Sequence, residues 1–176
     1  RLIHKPNPND PNDPNPNLYS LFYFPDYIEY SDLETLKSDL FYTRSSILKV
    51  NISYINFSPQ LDNMDELFLN KGNFNTGVSM WDVSRITSMN NLFKNAVLFN
   101  SPIFTITNNT TSIDNMFNGA SNFNQDISTW DVSGITSMIS MFQNTTVFYQ
   151  DISSWNLDSI NSTTAMNFMF DNSLIQ

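Results

Sequence analysis

Five phenylalanines recur at a nearly constant interval, and this period constrains the fold more than any other feature of the sequence. The steps between them are 25, 24, 25 and 28 residues, and the five are Phe68, Phe93, Phe117, Phe142 and Phe170. Two further columns keep the same steps: Met64, Met89, Ile113, Met138 and Met166 form one, and Leu67, Leu92, Met116, Met141 and Met169 form the other. Three columns in one register predict a repeat protein, because a period of about 20 to 29 residues is that of leucine-rich-type units.

The apolar columns of each unit have the spacing of an amphipathic helix. The residues at i, i+3, i+4 and i+7 in the second unit are Met89, Leu92, Phe93 and Ala96. This spacing brings the four side chains onto one face of a helix. A threonine lies just before the segment in three units and favours a helix N-cap there. These threonines are Thr87, Thr111 and Thr136.

A two-residue alternation of apolar side chains comes later in each unit. Its members are Trp81 and Val83, Phe104 and Ile106, Trp130 and Val132, and Trp155 and Leu157. A period of two predicts a short strand with one buried face. Stacked units would then align these strands in a parallel ladder with a spacing of about 4.8 Å, and the helices would lie on the other side.

The predicted fold is an α/β repeat solenoid of the leucine-rich-repeat type, with one short helix and one short strand in each unit of about 25 residues. Residues 61–176 hold about four and a half units. Residues 18–60 do not repeat and are predicted to cap the stack with one helix and one or two strands. The capping-box sequence that begins at Ser31 starts that helix, at 31–42, and apolar residues alternate over 47–57.

Residues 1–17 are rich in proline and asparagine, a composition that cannot form a core. This segment is interpreted as a stiff, hydrated spacer, and a terminus that tethers nothing is the alternative. The chain begins at Arg1 without a signal peptide, so it is either a segment of a longer protein or a mature chain whose leader was removed.

Composition excludes several classes of function. The net charge of −9 disfavours nucleic acid and anionic lipid as partners, because both require clustered Lys and Arg. The absence of cysteine excludes disulfides, thiolate zinc sites and a cysteine nucleophile. The single histidine, His4, excludes a His-based triad and a two-His metal site. A two-carboxylate hydrolase remains compatible with the composition, but nothing singles out its pair. No catalytic residue, cofactor or metal ligand is therefore predicted.

Two sets of side chains could either bind a ligand or have only a structural role. Asp126 and Asp151 share one column and would become neighbours on stacking, so they could bind calcium. The same column holds Gly77 and Pro102, which favours turn formation. The tryptophans could be exposed platforms for sugars, but their alternation with Val or Leu favours the buried face. They are Trp81, Trp130 and Trp155.

The unit FNQDISTWDVSGITSMISMF, at 123–142, resembles the repeat of BspA-like surface proteins. FNTGVSMWDVSRITSMNNLF at 74–93 is a second copy, and FYQDISSWNLDSI at 148–160 is a partial one. The same repeat is typical of mycoplasmal surface lipoproteins of unknown function. The resemblance implies an extracellular leucine-rich-repeat-like module, often on a lipid-anchored protein, and adhesion to host or matrix proteins for some members. The pattern breaks at 104–109, and the lipidated cysteine of such a lipoprotein is absent from this chain.

These observations predict a non-enzymatic, surface-exposed module for protein binding or adhesion, as part of a bacterial surface lipoprotein. Its partner would be an extracellular or host protein, and any membrane attachment would be through a lipid anchor outside this chain. A structural component of a surface or virion assembly is the alternative, and the oligomeric state is left open. The polar positions that alternate with the core on the predicted strands are the candidate binding face. They are Ser79, Asp82, Ser84, Thr105, Thr107, Ser128, Asp131 and Ser133.

Overall fold

The computed structural model describes residues 28–30, 34, 55–57 and 60–174. Strand β1 is Ile28–Tyr30 and strand β2 is Ile55–Phe57, and they pair in parallel with Ile28 opposite Ile55. Strand β2 falls within the alternating stretch predicted at 47–57. Glu34 is the only described residue of the helix predicted at 31–42, and the spacer at 1–17 lies outside the described residues.

Successive units stack through rows of backbone hydrogen bonds between residues about 25 positions apart. Every second N–H of residues 89–95 donates to every second carbonyl of residues 112–118, with N to O distances of 2.8–3.0 Å. The same pattern joins the other neighbouring units. We name the paired stretches the first to fifth ladder segments: 63–70, 88–95, 112–119, 137–144 and 165–172. Isolated parallel bridges join Asn63 to Ser88, Ser88 to Ser112 and Ser112 to Ser137, and these residues mark the start of the first four segments.

The ladder segments are successions of turns, which corrects the predicted helices. Between 60 and 174 the structure contains neither a helix nor an extended strand. In the second segment, the N–H groups of Leu92, Lys94 and Ala96 donate to carbonyls three residues earlier. Asn91 and Asn95 have φ values of +57° and +59°, a region that asparagine adopts more readily than most residues. A helix would direct every N–H along its own axis, whereas here alternate N–H groups bond the next unit.

The helical spacing is nevertheless reproduced in the buried side chains. Met89, Leu92 and Phe93 have no exposed surface, and the equivalent side chains of the third segment are buried too. Turns that follow each other every two residues therefore direct positions i, i+3, i+4 and i+7 inward. This is why a spacing typical of helices occurs without a helix.

The predicted parallel strands around the tryptophans are also corrected. We name these stretches, 81–84, 104–107, 130–133 and 155–158, the tryptophan segments. None of them is a strand, and one backbone bond joins two of them, from the Asp131 N–H to the Ile106 carbonyl at 3.3 Å. The regular ladder lies instead on the side where helices are predicted. The second unit has one more residue between Ile106 and Ile113 than the first has between Val83 and Met89.

Stacked aromatic rings fill the interior. The rings of the first phenylalanine column lie 5.2–5.8 Å apart with interplanar angles of 0–9°. A second column, Phe74, Phe99, Phe123 and Phe148, packs beside the first, and ring centroids within one unit are 3.8–4.1 Å apart. Trp81, Phe104, Trp130 and Trp155 form a third stack at 6.4–6.5 Å. Such aligned offset contacts add to the apolar area that each unit buries.

Candidate interaction surface

The tryptophan segments carry exposed aspartates that are held by their own turns. The N–H of Ser84 donates to Oδ1 of Asp82 at 3.0 Å. In the third unit, the N–H and the hydroxyl of Ser133 both donate to Oδ1 of Asp131, at 3.1 and 2.6 Å. The shared sequence Asp-Val-Ser explains the geometry, because an aspartate side chain readily bonds backbone two residues later. Two units thus present a carboxylate in the same local turn.

These hydrogen bonds also set the charge of the two carboxylates. The side-chain and then the backbone hydrogen bonds of Ser84 lower the pKa of Asp82. Ser133 lowers the pKa of Asp131 in the same way, again with its side chain as the larger cause. Both groups are therefore ionised at neutral pH. Each of the two turns therefore presents a carboxylate charge, and the cation of Arg85 also lowers the pKa of Asp82.

The eight predicted face residues divide into two groups by exposure. Four of them are exposed: Ser79, Asp82, Thr105 and Asp131. The other four are half-buried: Ser84, Thr107, Ser128 and Ser133. The hydroxyl of Thr107 is buried and has no hydrogen-bond partner among the described residues. Thr107 therefore presents little polar chemistry to a partner, although its position in the sequence matches Ser84.

Contacts between units bring part of the face together. Thr105 and Thr107 flank Ile106, whose carbonyl accepts the N–H of Asp131. The amide of Asn109 donates to the Ser84 carbonyl at 2.8 Å. Hydroxyls of the following unit also bond the backbone here, because Ser154 donates to the Ser128 carbonyl at 3.1 Å and Ser159 donates to that of Ser133. No hydrogen bond joins Asp82 and Thr105, which are both described residues.

The aspartates of the candidate calcium column are also turn residues. Oδ1 of Asp126 accepts the Ser128 N–H at 2.9 Å, and Asp151 accepts the Ser153 N–H at the same distance. These backbone bonds are the largest cause that lowers the pKa of each carboxyl group. This geometry supports turn formation. Among the residues that the structure describes, no group of three or more His, Cys, Asp and Glu side chains is arranged to hold a metal ion.

The tryptophans belong to the core, as the alternation predicts. Trp81, Trp130 and Trp155 are all buried. The indole N–H of Trp130 donates to the Phe104 carbonyl at 3.0 Å, and that of Trp155 donates to the Ile127 carbonyl at 3.2 Å. Their faces stack on neighbouring rings. They are therefore not platforms for sugars.

The threonines predicted as helix caps form a row across the units instead. The hydroxyls of Thr87, Thr111 and Thr136 each donate to a backbone carbonyl of the preceding unit, at 3.0–3.1 Å. The reason for the difference is that no helix begins after them. All three threonines are exposed. The recurrence of Thr in one column is the sequence signal for this row.

A further polar column was not predicted from the sequence. Side-chain Oδ1 atoms of Asn75, Asn100 and Asn124 accept the N–H of the equivalent residue in the next unit, at 2.8–2.9 Å. The donor of the last of these bonds is the N–H of Tyr149, which replaces asparagine in the fourth unit. The recurring Phe-Asn pair of the first three units is the signal that could have identified this column.

A family model, described as Mycoplasma protein of unknown function, DUF285, matches residues 35–107 and 62–174. These two overlapping matches cover most of the chain. The chain belongs to the DUF285 family. Neither the comparison with curated proteins nor that with solved structures finds a match.

The second DUF285 match includes all five ladder segments and four tryptophan segments. The family is one of mycoplasma proteins, which agrees with the mycoplasmal repeat identified in the sequence. No helix in the described part of the chain has the length and apolar character to cross a membrane.

Proposed function

We propose that this DUF285 protein is a non-enzymatic binding module that recognises an extracellular protein through the negatively charged surface around Asp82, Thr105 and Asp131. The observation that carries the proposal is the repeated, exposed Asp-Val-Ser turn. Each turn fixes a carboxylate by hydrogen bonds from its own serine. Fixed side chains lose little conformational entropy when a partner binds.

The charge of this surface favours a partner with basic character. Asp82 and Asp131 are ionised at neutral pH because Ser84 and Ser133 lower their pKa values. The whole chain adds to this field with a net charge of −9. Electrostatic steering by such a field raises the association rate for a basic partner, and the rate falls as salt is added.

The proposal also includes the fold class and the cellular location of the protein. The stacked units constitute a solenoid of the leucine-rich-repeat-like class, and the repeat is of the BspA-like type. The protein acts at the outer cell surface, as part of a lipid-anchored protein whose anchor lies outside this chain. Support comes from the rows of bonds between units and from the mycoplasmal family.

The exposed carboxylates are poor candidates for acid–base catalysis. A general acid must be protonated near the working pH, whereas the pKa values of Asp126 and Asp151 are lowered, as those of Asp82 and Asp131 are. The only histidine in the chain is His4. The proposal therefore assigns binding and no reaction to this chain.

The test compares two variants that lose the same charge from the same kind of turn. Asp82→Ala, Thr105→Ala and Asp131→Ala are combined in one variant, and Asp126→Ala and Asp151→Ala in the control. A partner is first captured from host-cell surface extract with the full chain, and its affinity for each variant is then measured. We expect the first variant to bind at least about tenfold more weakly, roughly 1.4 kcal/mol, and the control to bind like wild type. Unchanged affinity in a folded first variant would exclude this surface as the site.

A further inference from the structure

Met80 is the one exposed methionine of the eight in the chain, all of which lie within the described residues. Its side chain is 67% exposed. Six of the others are buried, with 0–4% of their surface exposed, and Met166 is half-buried. The six are Met64, Met89, Met116, Met138, Met141 and Met169. Core packing therefore accounts for the other seven methionines but not for Met80.

Met80 occupies a turn position at which other units carry hydroxyl side chains. The Trp81 N–H donates to the Val78 carbonyl at 3.1 Å, so Met80 is the third residue of a four-residue turn. The equivalent turns of the third and fourth units close in the same way, and they carry Thr129 and Ser154 at this position. Small polar residues are typical of turns. The same turn forms without methionine, so the local backbone does not require the thioether.

The exposure of Met80 is lateral, because aromatic rings cover its unit on both stacking sides. The ring of Trp81, the next residue in the chain, lies 6.4 Å from the Phe104 ring on one side and 5.1 Å from the Phe57 ring on the other. Met80 and Asp82 flank this buried tryptophan, and both are exposed. The thioether therefore belongs to the same outer surface as the Asp82 carboxylate.

An exposed methionine beside a carboxylate suits a partner that offers both basic and apolar groups. The unbranched thioether side chain adapts to irregular apolar surfaces, and methionine is enriched in protein interfaces. Asp82 supplies a negative charge, since the hydrogen bonds of Ser84 lower its pKa. One short segment thus presents a charged and an apolar contact side by side.

We propose that Met80 is an oxidation site that controls this surface: its thioether contacts the partner, and its sulfoxide weakens that contact. The oxidant is a peroxide. The sulfur lone pair attacks one peroxide oxygen, so that an S–O bond forms and the O–O bond breaks. Sulfur loses two electrons and the peroxide gains them. The proton of the transferred hydroxyl group moves to the leaving oxygen, which departs as water, and the product is a polar sulfoxide.

Peptide mapping by mass spectrometry after brief treatment with hydrogen peroxide tests the selectivity of this reaction. In the folded full chain, Met80 should gain oxygen at least about tenfold faster than the six buried methionines, because these become accessible only when the stack opens locally. In concentrated urea the difference should disappear. Equal rates at Met80 and at the buried methionines of the folded chain would overturn the site.

The effect on binding rests on the proposed function and is measured with a defined probe, a synthetic peptide of alternating lysine and leucine. Peroxide should weaken binding of this peptide to the wild-type chain about three- to tenfold, the scale of one lost apolar contact. Met80→Leu cannot form a sulfoxide, so its affinity should not respond to peroxide. Met80→Gln should bind weakly without peroxide. Leu98→Gln changes a residue that is 44% exposed on the second unit, and this control should behave like wild type.

The outcomes separate the switch from the binding surface itself. Equal affinity of the wild-type chain before and after complete oxidation of Met80 would overturn the switch and leave the proposed function intact. Absence of peptide binding to the unoxidised chain would overturn both. If near-ultraviolet circular dichroism shows that peroxide disturbs the fold, Met80→Gln, which needs no oxidant, decides instead. A methionine sulfoxide reductase should restore the affinity, because it returns the thioether.

Discussion

The side chains of asparagine and aspartate accept two kinds of hydrogen bond in this protein. The donor lies either in the next unit, about 25 residues away, or in the same turn, two residues away. Asn90 and Asp114 accept a backbone N–H from the next unit, from Asp114 and Ile139 respectively, at 2.8 and 2.7 Å. Asp82 instead accepts from Ser84 in its own turn. The local bond can be predicted from the sequence Asp-x-Ser, whereas a partner 25 residues away can be identified only when the register of stacking is known.

The stacking register can be tested by adding a single atom, the Cβ, at Gly134. A Cβ at this position would lie 1.9 Å from the Asn108 carbonyl oxygen and 2.8 Å from its carbon. Both atoms belong to the backbone of the unit that has an extra residue. Because they are backbone atoms, they cannot move aside as the end of a flexible side chain can. We expect Gly134→Ala to lower the free energy of unfolding by about 1–3 kcal/mol, a range typical of overpacking.

The matched control is Gly72→Ala, whose Cβ would meet no atom closer than 3.9 Å. This change should be neutral or slightly stabilising, within about 1 kcal/mol, because it also restricts the unfolded chain. Chemical denaturation of both variants makes the comparison. Equal stability of the two variants would show that the extra residue does not approach Gly134 as the structure has it.

At the scale of the element, the sequence identifies which side chains are buried but not the backbone that buries them. Met89, Leu92 and Phe93 are predicted to be in the core and are fully buried. The same spacing suits a helix and a succession of turns, so periodicity alone cannot separate the two. The positive φ values of Asn91 and Asn95 show that this segment consists of turns and is not a helix. Poor helix propensity of asparagine and serine is the one local signal that favours this outcome.

The central phenylalanine column should contribute much of the stability of the stack. Phe117 is fully buried between Phe93 and Phe142, at 5.7 and 5.8 Å, and packs on Phe123 at 3.8 Å. Phe117→Ala removes contacts on three sides and leaves a cavity. We expect a loss of about 3–5 kcal/mol in the free energy of unfolding.

Tyr149→Ala is the control for this change, because the ring of Tyr149 is 75% exposed. Its loss should change stability by no more than about 0.5 kcal/mol, as for most surface substitutions. Urea denaturation of the two variants and wild type measures both effects. A loss below about 1 kcal/mol for Phe117→Ala would contradict the buried column.

At the scale of the whole molecule, the stack has a direction. Each of the first four ladder segments donates alternate N–H groups to the carbonyls of the next segment. At the other end, Phe57 of strand β2 packs against Trp81. The period in the sequence predicts stacking, but it carries no information on this polarity, because the columns of side chains are the same in either direction.

Stability of the whole stack should not depend on calcium. Asp126 and Asp151 lie in consecutive units, but each carboxylate already accepts an N–H from its own turn. The hydrogen bonds of Ser128 and Ser153 lower the pKa values of these two carboxyl groups. Thermal melts of the full chain with calcium and with chelator should therefore coincide. The Asp126→Ala and Asp151→Ala variant should give the same pair of curves at its own melting temperature. A ligand that binds only the folded state raises Tm, so a rise with calcium in wild type that the double variant lacks would assign a calcium site to this column.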